Sequence, residues 1–207
     1  MTGHKMVVKT ACRGRPKTFN NFEAIEKAQN LFWEKGYKAT SLTELIEVMG
    51  ISRQSMYNTF GNKHALFLQC LEYYIHEHYK KMKTDLEAPI HAEDKLKNMF
   101  AMMEGFFTCP DSKGCFTSFA IQEMAQQDSE VKRMLEDKYA KNSEVFENFF
   151  TKAIDNNEIK SFLTGKELAD LYDAILLGVS SLCKLPNRQD HIRNIFKIFL
   201  KQLEFIR

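Results

Sequence analysis

Apolar residues recur along this chain at steps of three and four, the period of one face of an α-helix. No run alternates apolar and polar residues in the manner of a half-buried strand, so the fold class expected is all-α. From Phe19 to Lys35 the stripe is Phe22, Ile25, Ala28, Leu31 and Phe32, and Gly36 supplies a stop. Ser41 and Glu44 form an S-x-x-E capping box ahead of Leu42, Leu45, Ile46 and Met49, after which Gly50 turns the chain. Ser52 caps a short third helix from Arg53 to about Thr59, and Asn62 caps a fourth that starts at Lys63. The fourth is long and predicted to run to about Met82, with Pro89 enforcing a break. Further helices are predicted at 92–108, 115–126, 128–156, 166–183 and 187–206, with a turn-rich loop from Cys109 to Gly114. No strand and no internal repeat is predicted.

Composition leaves this picture in place. The 207 residues are 44% hydrophobic and 27% charged, with four prolines and nine glycines, which fits a globular protein with a sizeable core and no long flexible linker. No apolar run reaches membrane-spanning length and the N-terminus lacks a secretory signal pattern, so a cytoplasmic protein without a membrane partner is expected. Five cysteines are an odd number in such a chain, and reduced thiols are expected rather than a disulfide framework.

Charge is distributed unevenly. Residues 1–63 carry ten Lys or Arg against five Glu, whereas the rest of the chain carries 19 basic and 22 acidic residues. A basic end points to an anionic partner, nucleic acid before a membrane surface, although a solvated tail would also account for it. Within that end, residues 41–60 have the layout of a helix-turn-helix: a capped helix, a tight turn at Gly50-Ile51-Ser52, and a second short helix. The second helix of such a unit enters the major groove. Here it places Met56 and Phe60 inward and leaves Arg53, Gln54, Ser55, Tyr57 and Asn58 for DNA, residue types suited to guanine, adenine and phosphate contacts. The same geometry also occurs as a purely structural hairpin.

The stretches Phe32-Trp33-Glu34-Lys35-Gly36-Tyr37-Lys38-Ala39-Thr40-Ser41, Met49-Gly50-Ile51-Ser52 and Met56-Tyr57-Asn58-Thr59-Phe60-Gly61-Asn62-Lys63 resemble the DNA-binding domain of the TetR family of bacterial transcriptional regulators, from about Arg13 to Tyr74. The resemblance implies a three-helix DNA-binding head, a helical ligand-binding and dimerisation body, and release of a double-stranded operator when an inducer binds. It also implies phosphate contacts at Thr40, Tyr57 and Lys63, base contacts at Arg53, Gln54, Ser55 and Asn58, and a homodimer through the last two helices, 166–183 and 187–206. The corresponding division is a basic arm at 1–17, a helix-turn-helix domain at 18–65 and a regulatory domain at 66–207. In the arm, Arg13-Gly14-Arg15-Pro16 resembles a minor-groove hook, with Arg13 and Arg15 as the inserted side chains. A disordered basic arm adding only non-specific attraction is the alternative.

In the body, Gly114-Cys115-Phe116-Thr117 followed by Glu123-Met124-Ala125 resembles a subgroup with a Gly-Cys step, some of whose relatives sense electrophiles or oxidants through a cysteine. Cys115, with Cys109 six residues away, is therefore a candidate redox switch, and a small packed hydrophobe is the alternative. Phe100, Met103, Phe107, Phe119, Met124, Phe146, Phe150 and Tyr172 are candidates to line an apolar pocket for a small-molecule inducer, and could equally be core. The spacing of His76, His78, His91, Cys109 and Cys115 is unlike a zinc site, so no metal is expected. No Ser-His-Asp set, nucleotide loop or paired-carboxylate constellation is present, which argues against catalysis and a cofactor. The reading is a ligand- or thiol-responsive repressor; the rival is a thiol- or nucleic-acid-processing enzyme carrying a structural helix-turn-helix.

Overall fold

The computed structural model describes residues 20–206, so the arm at 1–17, with Arg13 and Arg15, lies outside the described residues. Nine α-helices occur among the described residues: α1 (Asn21–Lys35), α2 (Leu42–Met49), α3 (Arg53–Phe60), α4 (Lys63–Glu87), α5 (Ala92–Thr108), α6 (Phe116–Glu123), α7 (Ser129–Asp155), α8 (Gly165–Leu182) and α9 (Gln189–Lys201). Except at α6 and α9, which have no side-chain cap, their starts are set by polar side chains that accept the first free amides. Asn20 accepts from the Phe22 N–H at 3.0 Å, Asn62 from Ala65 at 2.8 Å, and Asp128 from both Glu130 and Val131. Ser41 with Glu44 and Thr164 with Glu167 close reciprocal capping boxes, the second on a T-x-x-E pattern.

Four elements depart from expectation, each for a local reason. Helix α4 runs five residues beyond Met82 to Glu87, because Pro89 constrains only Ala88 before it (φ −56°, ψ 140°), and Leu86 is buried by the extension. Helix α6 stops at Glu123 instead of 126, and Met124 and Ala125 both donate back to the Ala120 carbonyl in a closing turn. Helix α9 begins at Gln189 because Asn187 sits at φ +58°, outside helical space. It also ends at Lys201, and the following residues form a strand that sequence periodicity gave no sign of. That strand, β2 (Glu204–Phe205), pairs antiparallel with β1 (Ile159–Lys160), matching Ile159 with Phe205 and Lys160 with Glu204. The Ile206 N–H donates to Glu158 O at 3.0 Å and prolongs the clasp.

Two apolar cores organise the helices. One lies among α5, α7, α8 and α9 and holds Leu96, Phe100, Phe146, Phe150, Leu168, Phe196 and Phe199. The other joins α1, α2, α3 and the first half of α4 to α6 and the start of α7, through Phe32, Leu45, Met56, Phe67, Phe116, Ala120 and Leu135. A line drawn between residues 65 and 66 runs through this second core, since Leu66, Phe67, Cys70 and Leu71 on α4 are fully buried in it. The contacts of the buried Phe116 explain the joint: its ring meets Trp33 at 5.5 Å, Tyr74 at 5.6 Å and Phe67 at 5.8 Å between centroids.

Candidate DNA-binding surface and regulatory pocket

The turn between α2 and α3 is built by three adjacent residues. Gly50 takes the left-handed conformation (φ +68°, ψ 33°) and its N–H returns to the end of α2, a geometry that glycine adopts without a Cβ penalty. Ile51 is buried beneath it, and the Ser52 hydroxyl accepts from the Ser55 N–H at 3.1 Å to start α3. Met56 and Phe60 then anchor one side of α3 in the head core, which leaves Arg53, Gln54, Tyr57 and Asn58 on the solvent side. Tyr57 is 49% exposed although it is a large aromatic residue, which sets it apart from the ring cluster inside.

Two of the residues expected at DNA make hydrogen bonds within the head through their hydroxyls. Thr40 is 1% exposed, and its hydroxyl donates to Gly36 O at 2.7 Å, so it fastens the α1–α2 connection instead of presenting an oxygen outward. Ser55 is half-buried, with its hydroxyl taking a bond from Ser52 at 2.9 Å. Lys63 stands in the first turn of α4 with its ammonium 4.4 Å from the Tyr37 ring centroid, held near the surface; burial lowers its pKa, and the field of Glu123 opposes that.

The head is gripped by the far end of α6. The Glu123 carboxylate accepts from the Tyr37 N–H at 2.8 Å and the Lys38 N–H at 3.0 Å, and Asp128 lies 2.5 Å from His64 Nε2 on α4. At the near end of the same helix, Trp33 donates from its indole to Lys113 O at 3.1 Å. Sequence placed Glu123 only within the Glu123-Met124-Ala125 motif and Asp128 only at a helix start, because their partners are more than sixty residues away.

Cys109 and Cys115, paired in the sequence as one switch, occupy different surroundings. Both are free thiols; Cys109 is exposed at the end of α5, while Cys115 is half-buried at the start of α6. Cys115 Sγ is 3.0 Å from Thr117 Oγ1 and receives the Tyr74 hydroxyl at 3.5 Å, and its N–H donates to Ser180 Oγ on α8 at 2.6 Å. Burial by itself pushes the Cys115 thiol up. The positive field of Lys138 and hydrogen bonds from Thr117, Tyr74 and the Ser118 amide outweigh burial, and the thiol is held below its ordinary value. Cys70, buried and lacking such neighbours, is pushed far up.

Cys115 is also part of the wall of a cavity of about 250 Å³ between α4, α5, α7 and α8. Met103, Phe107, Phe146 and Tyr172 line it as expected from sequence. Phe100 does not, because its ring turns to Phe199 at 5.1 Å and Phe196 at 5.3 Å in the body core, where Phe150 also lies. Phe119 stacks on Phe116 at 5.6 Å, and Phe119 and Met124 belong with the head core. The sequence missed the polar half of the chamber: Tyr74, Lys138, Tyr139, Asn142 and Asp173. Burial raises Tyr139 to about 12 and raises Asp173, and Lys138 is lowered by burial, with Cys115 and Asp173 opposing. Tyr74 is on the α4 stripe, and the only sequence signal of Lys138, Asn142 and Asp173 was polar residues beside the α7 and α8 stripes, a pattern shared with any solvated helix edge. Among the described residues no cluster of metal-ligating side chains occurs, and no helix is long and apolar enough to cross a membrane.

Residues 24–70 match the bacterial regulatory proteins of the tetR family, and residues 92–199 match the tetracyclin repressor-like C-terminal domain. The chain is 31% identical over 174 residues to the HTH-type transcriptional repressor ComR of Escherichia coli, spanning 81% of each protein. It is 26% identical over 193 residues to the uncharacterized HTH-type transcriptional regulator YezE of Bacillus subtilis, covering 92% of this chain and all of that one (100%). In fold it is similar to a cysteine mutant of the TetR family transcriptional regulator CifR complexed with 26bp double-strand operator DNA, with a TM-score of 0.78, 24% identity, and coverage of 92% and 100% of the two chains. It is also similar in fold to the reduced form of Escherichia coli NemR, with a TM-score of 0.81, 14% identity, and coverage of 89% and 97%. With one domain matched at the head, another across the body, and a curated repressor similar over most of its length, this chain belongs to the TetR family of bacterial regulatory proteins.

Proposed function

We propose that the protein is a cytoplasmic homodimeric repressor that binds an operator through its head and leaves it when an effector occupies the body. The observation that carries this reading is α3, whose apolar side is locked into the head core while Arg53, Gln54, Tyr57 and Asn58 face solvent together. Lys63 adds a cation beside them at the start of α4, and the arm with Arg13 and Arg15 extends the basic end. Thr40 is left out of this surface because it is buried. Two-fold operators call for two heads, and α8 offers a contact face: Ala174, Gly178 and Ser181 are exposed, with open space where a Gly178 side chain would be. Ile198 on α9 is exposed as well.

The test is selection from a genomic fragment library by the purified protein at fixed salt. Wild type is expected to enrich a two-fold symmetric site. Arg53→Ala and Tyr57→Ala should each weaken that site by about 1–3 kcal/mol, and Lys63→Ala should weaken all sequences alike while lowering the salt slope by about 1. No enrichment, with the variants retained as well as wild type, would make the helix-turn-helix a structural hairpin.

The effector reading has a thiol arm and a cavity arm. The lowered Cys115 thiol in the wall of the chamber supports the first, with α6 linking that wall to the Glu123 grip on the head. A maleimide is expected to release wild type from its site and to leave Cys115→Ser bound, with Cys109→Ser released like wild type. Release of Cys115→Ser at the wild-type dose would end the thiol arm.

A further inference from the structure

Resting on the reading that an effector occupies the body cavity, we propose that this chamber takes an amphiphilic monoanion, a molecule with an apolar body and one carboxylate-type head, seated head-first on Lys138. Met99, Met103, Phe107, Phe146 and Leu176 form an oily sleeve along one part of the wall. Exposed Met102 and Phe106, at 46% and 42%, line the same cavity and give it an apolar rim. At roughly 30 Å³ for a water-sized group, about 250 Å³ accommodates on the order of ten heavy atoms.

Charge then selects the head group. Two lysines line the cavity, and one of them, Lys81, is already paired with Asp85 at 3.3 Å. Lys138 is half-buried on α7 and has no carboxylate within 4 Å among the described residues; its ammonium rests 3.6 Å from the centroid of the Tyr139 ring. A face of aromatic π density satisfies part of an ammonium's field, but its N–H donors remain without a charged acceptor. The charges it feels come from Asp173, weakened as an anion by burial, and from Cys115, whose thiol the field of Lys138 helps to hold below its ordinary value against burial. A ligand carboxylate supplies the strong acceptor that this arrangement lacks, in a medium of low polarity where such a pair is worth most. Asn142, Tyr139 and Thr117 line the same cavity, and the Thr117 hydroxyl is bonded to Cys115 Sγ at 3.0 Å. An ammonium head would meet Lys138 directly, and an uncharged head would leave its donors as they are.

The test is calorimetric titration of the full-length protein, without DNA, with octanoate, 1-octanol and octylamine below their aggregation ranges. None of the three alkylates a thiol, so binding is independent of the Cys115 arm. Octanoate is expected to bind at least tenfold tighter than octanol, and octylamine weaker than both. Lys138→Met should erase the preference for acid over alcohol while keeping octanol affinity, and Lys138→Arg should restore it, which separates charge recognition from misfolding. Equal affinity for acid and alcohol, tighter binding of the amine, an unchanged preference in Lys138→Met, or no binding of any chain would each overturn the assignment. Octanoate that binds through Lys138 but leaves a selected operator complex intact would instead overturn the effector reading and leave the anion site standing.

Discussion

Replacing Phe116 with alanine is expected to cost about 3–5 kcal/mol of stability, the range for removing a fully buried aromatic ring. The side chain has no solvent exposure and lies where the head and the body share a core. Its ring touches Trp33 from α1, Phe67 and Tyr74 from α4, and Phe119 from its own helix, so the hole left behind is walled by four large rings from three elements that cannot all move inward. The loss is read by chemical denaturation at fixed protein concentration, since an oligomer's midpoint depends on concentration. Phe162, fully exposed, serves as the control and should change stability by no more than about 0.5 kcal/mol as alanine. A Phe116→Ala loss under about 1 kcal/mol would mean that α6 is not packed against the head as described.

Gly114→Ala is expected to be nearly as damaging, by about 2–5 kcal/mol, for two reasons that add. The residue sits at φ +72°, where a Cβ costs about 1–2 kcal/mol, and that Cβ would lie 2.5 Å from the Ser180 carbonyl oxygen and 2.9 Å from its hydroxyl. Relief of the clash must move the loop away from α8, an overpacking cost of about 1–3 kcal/mol. The same shift breaks the 2.6 Å bond from the Cys115 N–H to Ser180 Oγ, so the reactivity of Cys115 toward a maleimide should change along with stability. Gly105→Ala supplies a contrast of opposite sign. It lies inside α5 with nothing within 4 Å of a Cβ, and alanine there should stabilise by about 0.5–1 kcal/mol. If Gly114→Ala behaved like Gly105→Ala, the close approach of the loop to α8 would be refuted.

These two residues also mark the division between what sequence patterns reveal and what they leave hidden. Gly114 and Phe116 read from sequence as the loop glycine and an apolar position of the Gly-Cys motif, with no sign of their packing partners. Nothing within four residues of either indicates Ser180 or Trp33. The same holds for Lys138, which a helical wheel cannot distinguish from a solvated lysine, and for Phe100, whose apolar periodicity suits a cavity wall as well as it suits the contact with Phe199.

The chain's own order of residues determined the helices, their caps and the helix-turn-helix, because each depends on groups no more than about four positions apart: the Ser41–Glu44 box, the left-handed Gly50, the Ser52 cap, and Met56 with Phe60 beneath Arg53 and Tyr57. Tertiary structure alone decided which stripe residues face the chamber, where Lys138 points, how Glu123 holds the amides of Tyr37 and Lys38, and that residues 204–205 leave the helix to pair with 159–160. Those outcomes rest on partners brought together by helix crossing and core packing across 44 to 86 residues of chain, and a local pattern carries no record of such partners.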